Sequence, residues 1–345
     1  MEMSDIETAE QLCDFMTEPT DALVEFLGGL QGDVLVLGAG GKMGPELVET
    51  IVRADRQAGV SRRVLAVSRF SDPTGRAKES FLELGVDVLA GDLTERAFLG
   101  ALPDAPHVIY MLGVKFGTSE DWRRAFHLNS IVPYLVGEKL RGSAIVVFSS
   151  TNPYPPVPPH HGGCREDDAL SPQGVYGWSI VARESSFRTT AMMSPAQRLC
   201  FFRLAYAQHL AYGVLVDMAR MVWQDEAVSL AVPAVNLVSQ RDAIDVALRA
   251  LGHCANPPFA LNCAGPIVRV REIVERMGAI MGKDPRLAGP EGETAAISDD
   301  TLRERTFGPY RDGANDMVEA AAKWVMRGGE SWDKPTMFGR ADRNY

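Results

Sequence analysis

Apolar residues along this chain fall into short continuous runs that alternate with segments of helical spacing. The first run, Val34–Leu37, contains no polar residue, and Leu47, Val48, Ile51 and Val52 then recur on one face of a helix. A strand without polar alternation is typical of a parallel sheet that is buried on both faces. The pattern therefore predicts an α/β fold in which helices cover both faces of a parallel sheet.

Four further apolar runs predict strands, and one long amphipathic segment predicts a helix over Trp122–Leu140. The predicted strands are Arg63–Ser68, Val86–Ala90, His107–Met111 and Ala144–Ser150. Residues 1–30 carry an apolar stripe at helical spacing that comprises Leu12, Phe15, Leu23, Phe26 and Leu27. This stripe predicts a helical extension that packs outside the sheet or on a partner subunit.

The turn between the first strand and the helix after it is rich in glycine. It contains Gly38, Gly40, Gly41, Lys42, Met43 and Gly44. Pro45 follows in the first helical turn, where its missing N–H costs nothing. In this setting backbone amides and the helix N-terminus can receive a pyrophosphate, because glycine permits a tight turn and a close approach of backbone to phosphate. We therefore expect these six residues to bind a dinucleotide.

Charge and cysteine content exclude several classes of protein. The 345-residue chain has a formal net charge of −10 and no basic run, so neither nucleic acid nor an anionic membrane surface is an expected partner. No apolar segment of the sequence approaches the roughly 20 residues of a membrane-spanning helix. The cysteines are scattered without metal-ligand spacing: Cys13, Cys164, Cys200, Cys254 and Cys263. Reduced thiols in a soluble cytoplasmic protein are the expectation.

The end of the second predicted strand bears on the choice of cofactor. A carboxylate at this position binds the adenosine ribose hydroxyls of NAD and repels a 2′-phosphate. Ser68 and Arg69 stand here instead, and a guanidinium can bind a phosphate through two N–H groups, while Lys42 adds a second positive charge. The sequence therefore predicts NADP as the cofactor, with NAD as the alternative.

Several motifs occur in an order that is known from one superfamily. Three glycines of the turn have the spacing GxxGxxG, namely Gly38, Gly41 and Gly44. A later strand ends in Ser149, Ser150 and Thr151, and an acidic loop (Arg165–Asp168) and a Tyr-Gly pair at Tyr176 follow. This order resembles the extended short-chain dehydrogenases/reductases, the group of sugar-nucleotide epimerases and dehydratases. The resemblance covers roughly residues 32–310.

The resemblance implies a Rossmann-type doubly wound parallel sheet with a small C-terminal substrate-binding lobe. The dinucleotide-binding domain is expected at residues 31–205 and about 236–254, with its sixth strand at Phe202–Tyr206. The lobe is expected at residues 206–235 and 255–325, after the helical extension at 1–30 and before a tail at 326–345. In relatives, helices that correspond to Trp122–Leu140 and Gly177–Thr190 pair two copies into a homodimer.

The resemblance also assigns cofactor-binding residues outside the glycine turn. In addition to Ser68 and Arg69 they are Asp92 and Leu93 beside the adenine ring, Leu112, Gly113 and Lys115 after the fourth strand, Asn129 at a helix-kinking position, and Ser149 near the end of the fifth strand.

Catalysis in these enzymes is shared by a Tyr, a Ser or Thr hydroxyl, and a Lys four residues after the Tyr. Here Tyr176 is the candidate proton donor, and Thr151 or Ser150 is the candidate clamp on the substrate carbonyl. A free phenol has a pKa near about 10, so a nearby cation is what makes a phenolate available at neutral pH. The position of that Lys is occupied by Ile180.

Three interpretations of Ile180 remain open. In the first, the chain is an active NAD(P)-dependent oxidoreductase or epimerase in which Lys115 or Arg183 supplies the missing charge, since a neutral phenol already suits proton donation during carbonyl reduction. In the second, it is a non-catalytic NADP(H)-binding sensor or scaffold. In the third, the chemistry has moved to other residues, of which the candidates are His160, His161, Tyr154 and His209. Adjacent histidines do not easily face one ion, so no metal is expected.

The substrate side of the sequence carries few signals. The resemblance implies a small-molecule substrate, a sugar or a sugar nucleotide. Arg241, Arg269 and Arg271 are candidates to meet an anionic substrate, although each fits a surface ion pair equally well. The sequence therefore leaves the choice between simple reduction, epimerisation and dehydration open.

Overall fold

A computed structural model describes residues 1–71, 76–332 and 336 of the chain. The α-helices are α1 Ala9–Thr17, α2 Asp21–Gly29, α3 Gly44–Ala58, α4 Arg76–Glu83, α5 Arg96–Ala101, α6 Trp122–Phe126, α7 Val132–Lys139, α8 Gly174–Met193, α9 Val214–Trp223, α10 Gln240–Arg249, α11 Val270–Met281, α12 Thr301–Phe307 and α13 Ala314–Met326. Short 3₁₀ segments occur at Met3–Asp5, Pro159–His161 and Ala250–His253, and a π-helical turn occurs at His127–Ile131.

The strands are β1 Val34–Leu37, β2 Val64–Ser68, β3 Asp87–Ala90, β4 His107–Tyr110, β5 Ala144–Ser150, β6 Arg198–Leu204, β7 Ala207–Gln208, β8 Val228–Ser229, β9 Ala234–Asn236, β10 Val238–Ser239, β11 Phe259–Cys263, β12 Ile267–Arg269 and β13 Leu287–Ala288. Seven of them form one parallel sheet in the order β11-β6-β5-β4-β1-β2-β3. The predicted Rossmann-type, doubly wound fold is confirmed. The strand order reverses between β1 and β4, and this is where a ligand crevice opens in such sheets.

Alternate side chains of each central strand enter different cores, which explains the lack of polar alternation. Val34 and Val36 of β1 pack with α2, α3 and α10 on one face of the sheet. Leu35 and Leu37 pack with α5, α7 and α8 on the other face. All four β1 side chains are buried, so a polar residue at any of them would lose its water without gaining a partner.

The structure moves two of the predicted element boundaries. The sixth strand, expected at Phe202–Tyr206, is β6 at Arg198–Leu204, because its apolar residues pair with β5 from the beginning of that strand. The predicted helix over Trp122–Leu140 is divided into α6 and α7 by the π-helical turn that contains Asn129. A π turn inserts one residue into the helix and is frequent at functional sites.

The remaining elements lie around the sheet. Helices α1 and α2, which are capped by Thr8 and Thr20, pack against α3. A separate core joins α9, α11 and α13 with the short paired strands at the C-terminal side. Of the predicted tail at 326–345, Met326 ends α13 and Trp332 packs on the lobe, whereas 333–335 and 337–345 lie outside the described residues. The exact domain boundaries stay a prediction.

One general property concerns membranes. Over the described part of the chain, no helix combines the length and the apolar character that crossing a bilayer requires.

Candidate active site

The glycine turn follows β1 at the carboxyl edge of the sheet, beside the end of β4. Gly38 has φ +90°, and a Cβ atom there would lie 2.9 Å from the Leu112 nitrogen. At Gly44 a Cβ atom would lie 2.0 Å from the carbonyl oxygen of Ala39. Neither position therefore admits a side chain. Gly40 and Gly41 are exposed, and Met43, the N-cap of α3, makes no side-chain capping hydrogen bond, so no capping side chain occupies the first N–H groups of α3.

The end of β2 lies directly beside this turn. A Cβ atom on Gly40 would lie 2.7 Å from the Ser68 hydroxyl oxygen, so the end of β2 leaves no space for a side chain at Gly40. Arg69 is 60% exposed, and its guanidinium lies 3.8 Å from an Asp92 carboxylate oxygen. The backbone N–H of Thr94, which donates to Asp92 at 2.9 Å, lowers the pKa of that carboxyl, and Arg69 adds to the effect. These predicted residues are thus brought together.

Three of the predicted cofactor residues point elsewhere. Lys42 places its ammonium 3.4 Å from the centre of the Tyr212 ring, towards the lobe. Leu93 is buried in the core that contains α5, and Met43 packs against the core on the other face of the sheet. The backbones of Lys42 and Met43, rather than their side chains, are what the turn offers a ligand.

Asn129 holds the loop after β4 from within the π-helical turn. Its side-chain amide donates to the Val114 carbonyl (2.8 Å) and to the Ser179 hydroxyl (2.9 Å), and its oxygen accepts from the Val114 N–H (3.0 Å). Arg183 donates to the same oxygen at 2.6 Å. Asn129 is fully buried, so it positions the residues around a ligand.

Arg183, one candidate for the missing charge, lies in the protein interior. Its guanidinium donates to the Phe148 carbonyl at 2.7 Å as well as to Asn129. A Cβ atom on Gly113 would lie 2.0 Å from a guanidinium nitrogen, which explains why only glycine fits above it. Arg183 therefore acts on the site through its charge and through the backbone it supports.

Tyr176 lies in the first turn of α8 and shares a side-chain hydrogen bond with Ser150 at the end of β5. Burial raises the pKa of the phenol above its usual value, while the charge of Arg183 and the bond to Ser150 oppose that rise. The phenol is therefore protonated at neutral pH. One helical turn later, Ile180 is completely buried.

Lys115, the other candidate for the missing charge, approaches Tyr176 from the loop after β4. Its ammonium lies 5.9 Å from the centre of the Tyr176 ring, 5.8 Å from that of Tyr206 and 5.5 Å from that of Phe116. Burial lowers its pKa to about 8. Lys115 thus brings a positive charge to the open side of the Tyr176–Ser150 pair.

A cavity of about 200 Å³ opens between the end of β5 and the lobe. Its walls are formed by Lys115, Ser150, Thr151, Asn152, Pro156, Leu204, Ala205, Tyr206, Ala231, Val232, Ala234, Glu293, Thr294, Ala295 and Ala296. Three predicted residues, Lys115, Ser150 and Thr151, are brought together here. The sequence reasoning missed Asn152, Tyr206 and Glu293; the first two follow strand ends, which is a usable signal, whereas Glu293 lies on an irregular segment without one.

The alternative catalytic residues lie away from this cavity. Tyr154 is buried, accepts from Arg203 at 2.6 Å and donates to Asn262 at 3.0 Å. His209 is buried, lies 2.9 Å from Glu46 and stacks on Trp332. His160 and His161 are exposed on their loop. Within the ranges that the structure describes, no three His, Cys, Asp or Glu side chains converge as a metal site.

Ser149, predicted to bind the cofactor, instead points into a buried ion pair beneath the site. Its hydroxyl donates to Glu184 at 2.7 Å. The two Glu184 oxygens also accept from Arg203 at 2.9 and 2.8 Å, in the bidentate arrangement that is strongest for Arg and carboxylate. The network ties β5, β6 and α8 together.

The three arginines predicted to meet an anionic substrate are all paired with carboxylates. Arg241 binds Asp312 at 2.8 Å and covers the Phe15 ring. Arg269 binds Glu291 at 2.9 Å. Arg271 lies 3.4 Å from the same carboxylate, and Glu275 is a second partner at 3.8 Å.

No protein-family model matches the chain, and neither does any curated protein sequence. Solved structures do. MoeE5, in complex with UDP-glucose and NAD, is 21% identical over 86% of this chain and 99% of its own, with a TM-score of 0.66. The UDP-Glc/GlcNAc 4-epimerase of Campylobacter jejuni is 16% identical over 86% and 100% of the two chains, with a TM-score of 0.69. The UDP-glucuronic acid 4-epimerase of Bacillus cereus, in complex with UDP-glucuronic acid and NAD, is 14% identical over 86% of this chain and 99% of its own, with a TM-score of 0.67.

These neighbours share the fold of this chain over most of its length. At such identities the likeness concerns the fold alone, and the function must be argued from the site.

Proposed function

We propose that this protein is an NAD(P)-dependent oxidoreductase of the epimerase type, which transfers hydride on a sugar-like hydroxylated small molecule. The observation that carries the proposal is the hydrogen bond between Tyr176 and Ser150 at the edge of the cavity, with Lys115 facing it. Structural neighbours whose titles name UDP sugars and NAD support the same class of reaction and a sugar or sugar-nucleotide substrate.

The residues divide the chemistry among them. Ser150 or Thr151 binds the substrate carbonyl oxygen, and the protonated Tyr176 phenol donates its proton to that oxygen as the carbonyl is reduced. A bound nicotinamide supplies or accepts the hydride. Because burial keeps the phenol neutral, proton donation needs no lysine at position 180, and Lys115 takes over the positive charge beside the reacting oxygen.

The cofactor fits the carboxyl edge of the sheet. The backbone of the turn from Gly38 to Gly44 and the open start of α3 would hold the pyrophosphate. Ser68 and Arg69 would hold the adenosine ribose, with Asp92 nearby. We propose NADP because Arg69 is exposed and can turn to a 2′-phosphate; NAD, which the neighbours' titles name, is the alternative.

The test is Tyr176→Phe, measured together with titrations of NADPH and NADH on both proteins. Loss of one general acid costs about 10²- to 10⁴-fold in kcat. We expect that loss on any carbonyl sugar that the wild type reduces, with cofactor affinity unchanged within about threefold. Tyr154→Phe is the matched control, since Tyr154 is buried but does not line the cavity. Full turnover by Tyr176→Phe would contradict the proposal.

A second candidate function is a non-catalytic NADP(H)-binding sensor or scaffold. The observation in its favour is the completely buried Ile180, which cannot hold a ribose. Tight cofactor binding by the wild type without turnover of any carbonyl sugar would favour this candidate. Binding of neither nucleotide would remove both.

We further propose that the protein is a homodimer. Helices α6–α7 and α8 pack on each other and expose Trp122 (52%), Ile131 (51%) and Trp178 (57%). Large exposed apolar side chains on adjacent helices are typical of an interface. Light scattering should give twice the chain mass of 37.6 kDa, and Trp178→Glu should yield the monomer. A monomeric wild type would contradict the dimer.

A further inference from the structure

On the lobe side, the cavity is lined mostly by small apolar side chains, with Glu293 and Thr294 as the polar ones. Ala231, Val232 and Ala234 precede or begin β9, and Ala295 and Ala296 lie on the irregular segment opposite them. Apolar walls with few polar groups are suited to the body of an uncharged ligand. Their side chains offer no hydrogen-bond donors to an anion.

Charge in the cavity is balanced, and its two charged groups lie at different places. Among the described residues that line it, Lys115 is the one cation and lies at the inner end, beside Tyr176. Glu293 is the one anion and is exposed on the lobe segment. A second carboxylate, Glu291, lies two residues earlier and is paired with Arg269 and Arg271. A diphosphate that extended from the reacting carbon towards the lobe would meet the Glu293 carboxylate, which repels it, and no cation among the described lining residues of that side.

Arginine is the side chain that recognises phosphate through paired N–H donors, and the three arginines that the sequence offered for an anionic substrate are already paired with carboxylates. Arg269 and Arg271 both bind Glu291, and Arg241 makes its bidentate pair with Asp312 outside the cavity. Arg241 would have to leave its buried carboxylate to bind a diphosphate. Arg269 and Arg271 would have to share their guanidinium groups with Glu291, whose negative charge weakens their attraction for a phosphate.

The size of the cavity also argues against a nucleotide-linked substrate. Pockets that enclose a drug-sized ligand have volumes of about 300–1,000 Å³. This one has about 200 Å³, and part of its wall, at Ser150 and Lys115, belongs to the reacting end.

We infer that the substrate is a compact hydroxylated aldehyde or ketone, of the size of one free sugar, and not a sugar attached to a nucleotide diphosphate. The inference rests on the proposed oxidoreductase function and narrows its substrate. In the reaction the carbonyl carbon gains the hydride, its oxygen gains the Tyr176 proton, and the reduced nicotinamide becomes the oxidised form. The product is the alcohol, and Tyr176 recovers its proton from solvent.

The experiment has a binding arm and a turnover arm, both with NADPH or NADH bound. In the binding arm, UDP and UDP-glucose are titrated by calorimetry, and we expect no saturable binding up to about 1 mM, the upper end of usual KM values. In the turnover arm, free aldoses, uronic acids and their keto forms are compared with UDP-glucose and UDP-glucuronic acid. We expect turnover of at least one free compound and of neither UDP sugar.

Two results would overturn the inference while leaving the proposed function intact: saturable binding of UDP, or a higher kcat/KM for a UDP sugar than for every free sugar. Turnover of no free compound by a protein that binds cofactor would overturn it as well. A failure of the proposed function is distinguished by the cofactor titration and by Tyr176→Phe, neither of which involves UDP.

A double variant tests whether carboxylates are the reason that UDP is not bound. The double change Glu291→Gln and Glu293→Gln removes both carboxylates and releases Arg269, and we expect UDP affinity to rise at least about tenfold. Glu226→Gln is the matched control, because this exposed carboxylate lies outside the cavity. Equal UDP affinity in the double variant and the wild type would contradict the charge argument.

Discussion

Two ion pairs of similar length illustrate how differently the two halves of this molecule are built. Beneath the sheet edge, Arg203 and Glu184 meet at 2.8 Å with side chains only 5% and 6% exposed. In the lobe, Arg269 and Glu291 meet at 2.9 Å with 50% and 29% exposed. Water does not reach the buried pair, which holds β5, β6 and α8 together, whereas water can replace either partner of the exposed pair. The pair under Tyr176 and Ser150 is therefore held in place, whereas the Arg269–Glu291 pair of the lobe can rearrange.

The largest predicted effect breaks the buried pair. Arg203→Met leaves the buried Glu184 with only the more distant Arg188, at 3.8 Å, and removal of the close partner from such a pair costs about 3–5 kcal/mol. Arg269→Met, the matched change in the lobe, should cost no more than about 1 kcal/mol, because water replaces the lost partner. Urea denaturation of both variants measures the difference. Equal losses would show that exposure does not separate the two pairs.

A somewhat smaller effect concerns the backbone of the glycine turn. Gly44→Ala would place a Cβ atom 2.0 Å from the Ala39 carbonyl oxygen, and overpacking of this kind costs about 1–3 kcal/mol. Because the turn must move to relieve it, cofactor affinity should fall by at least about tenfold.

The matched control for the glycine turn is Gly100→Ala. Nothing lies within 4 Å of a Cβ atom at this exposed helical position, so alanine there should be neutral or stabilise by up to about 1 kcal/mol. Denaturation and nucleotide titration on both variants give the answer. An unaffected Gly44→Ala would remove the close-approach argument.

The smallest predicted effect is a pH dependence of folding stability that Lys115 causes. Lys115 lines the cavity between the sheet edge and the lobe. Burial lowers its pKa to about 8 from the usual 10.5. Below about pH 8 the amine is charged in both the folded and the unfolded chain, and the cost of burying that charge is fully present. Between about pH 8 and 10.5 the folded amine loses its proton first, so the unfolded chain binds more protons and wild-type stability rises with pH.

The stability advantage of Lys115→Met over the wild type should therefore shrink across this window. Denaturant midpoints of the two proteins from about pH 7 to about pH 10 measure it. Lys78→Met is the control, since Lys78 is exposed and buries no charge. An advantage that stays constant with pH would contradict a buried, easily deprotonated Lys115.

Much of the sheet could be predicted from the sequence, because each strand–turn–helix unit is a local pattern. The spacing of Gly38, Gly41 and Gly44 after β1 identified the turn, and the apolar runs located the first five strands to within one residue at each end. The π-helical turn at Asn129 was expected as a kink but not as a division into two helices. The register of β6 was missed, since pairing with β5 rather than local pattern sets its beginning.

The candidate site divides in the same way. Ser150, Thr151 and Lys115 follow strand ends, so their meeting at one edge of the sheet follows from the parallel order. That Ser149 points inward to Glu184, and that Lys42 turns to Tyr212, depends on side chains 35 and 170 residues away. No local pattern encodes such distances.

The sequence by itself determined the parallel sheet, the glycine-rich turn after β1, and the presence of Ile180 where a lysine usually follows the tyrosine. Each of these features depends on residue types at short spacing along the chain. Only the tertiary structure decided where positive charge is available. Arg241 lies 71 residues from its partner Asp312, and Arg269 lies 22 residues from Glu291. Coulomb interactions depend on separation in space and on burial, not on order along the chain. For that reason Arg241 and Arg269 are paired with carboxylates, and Lys115 faces the site.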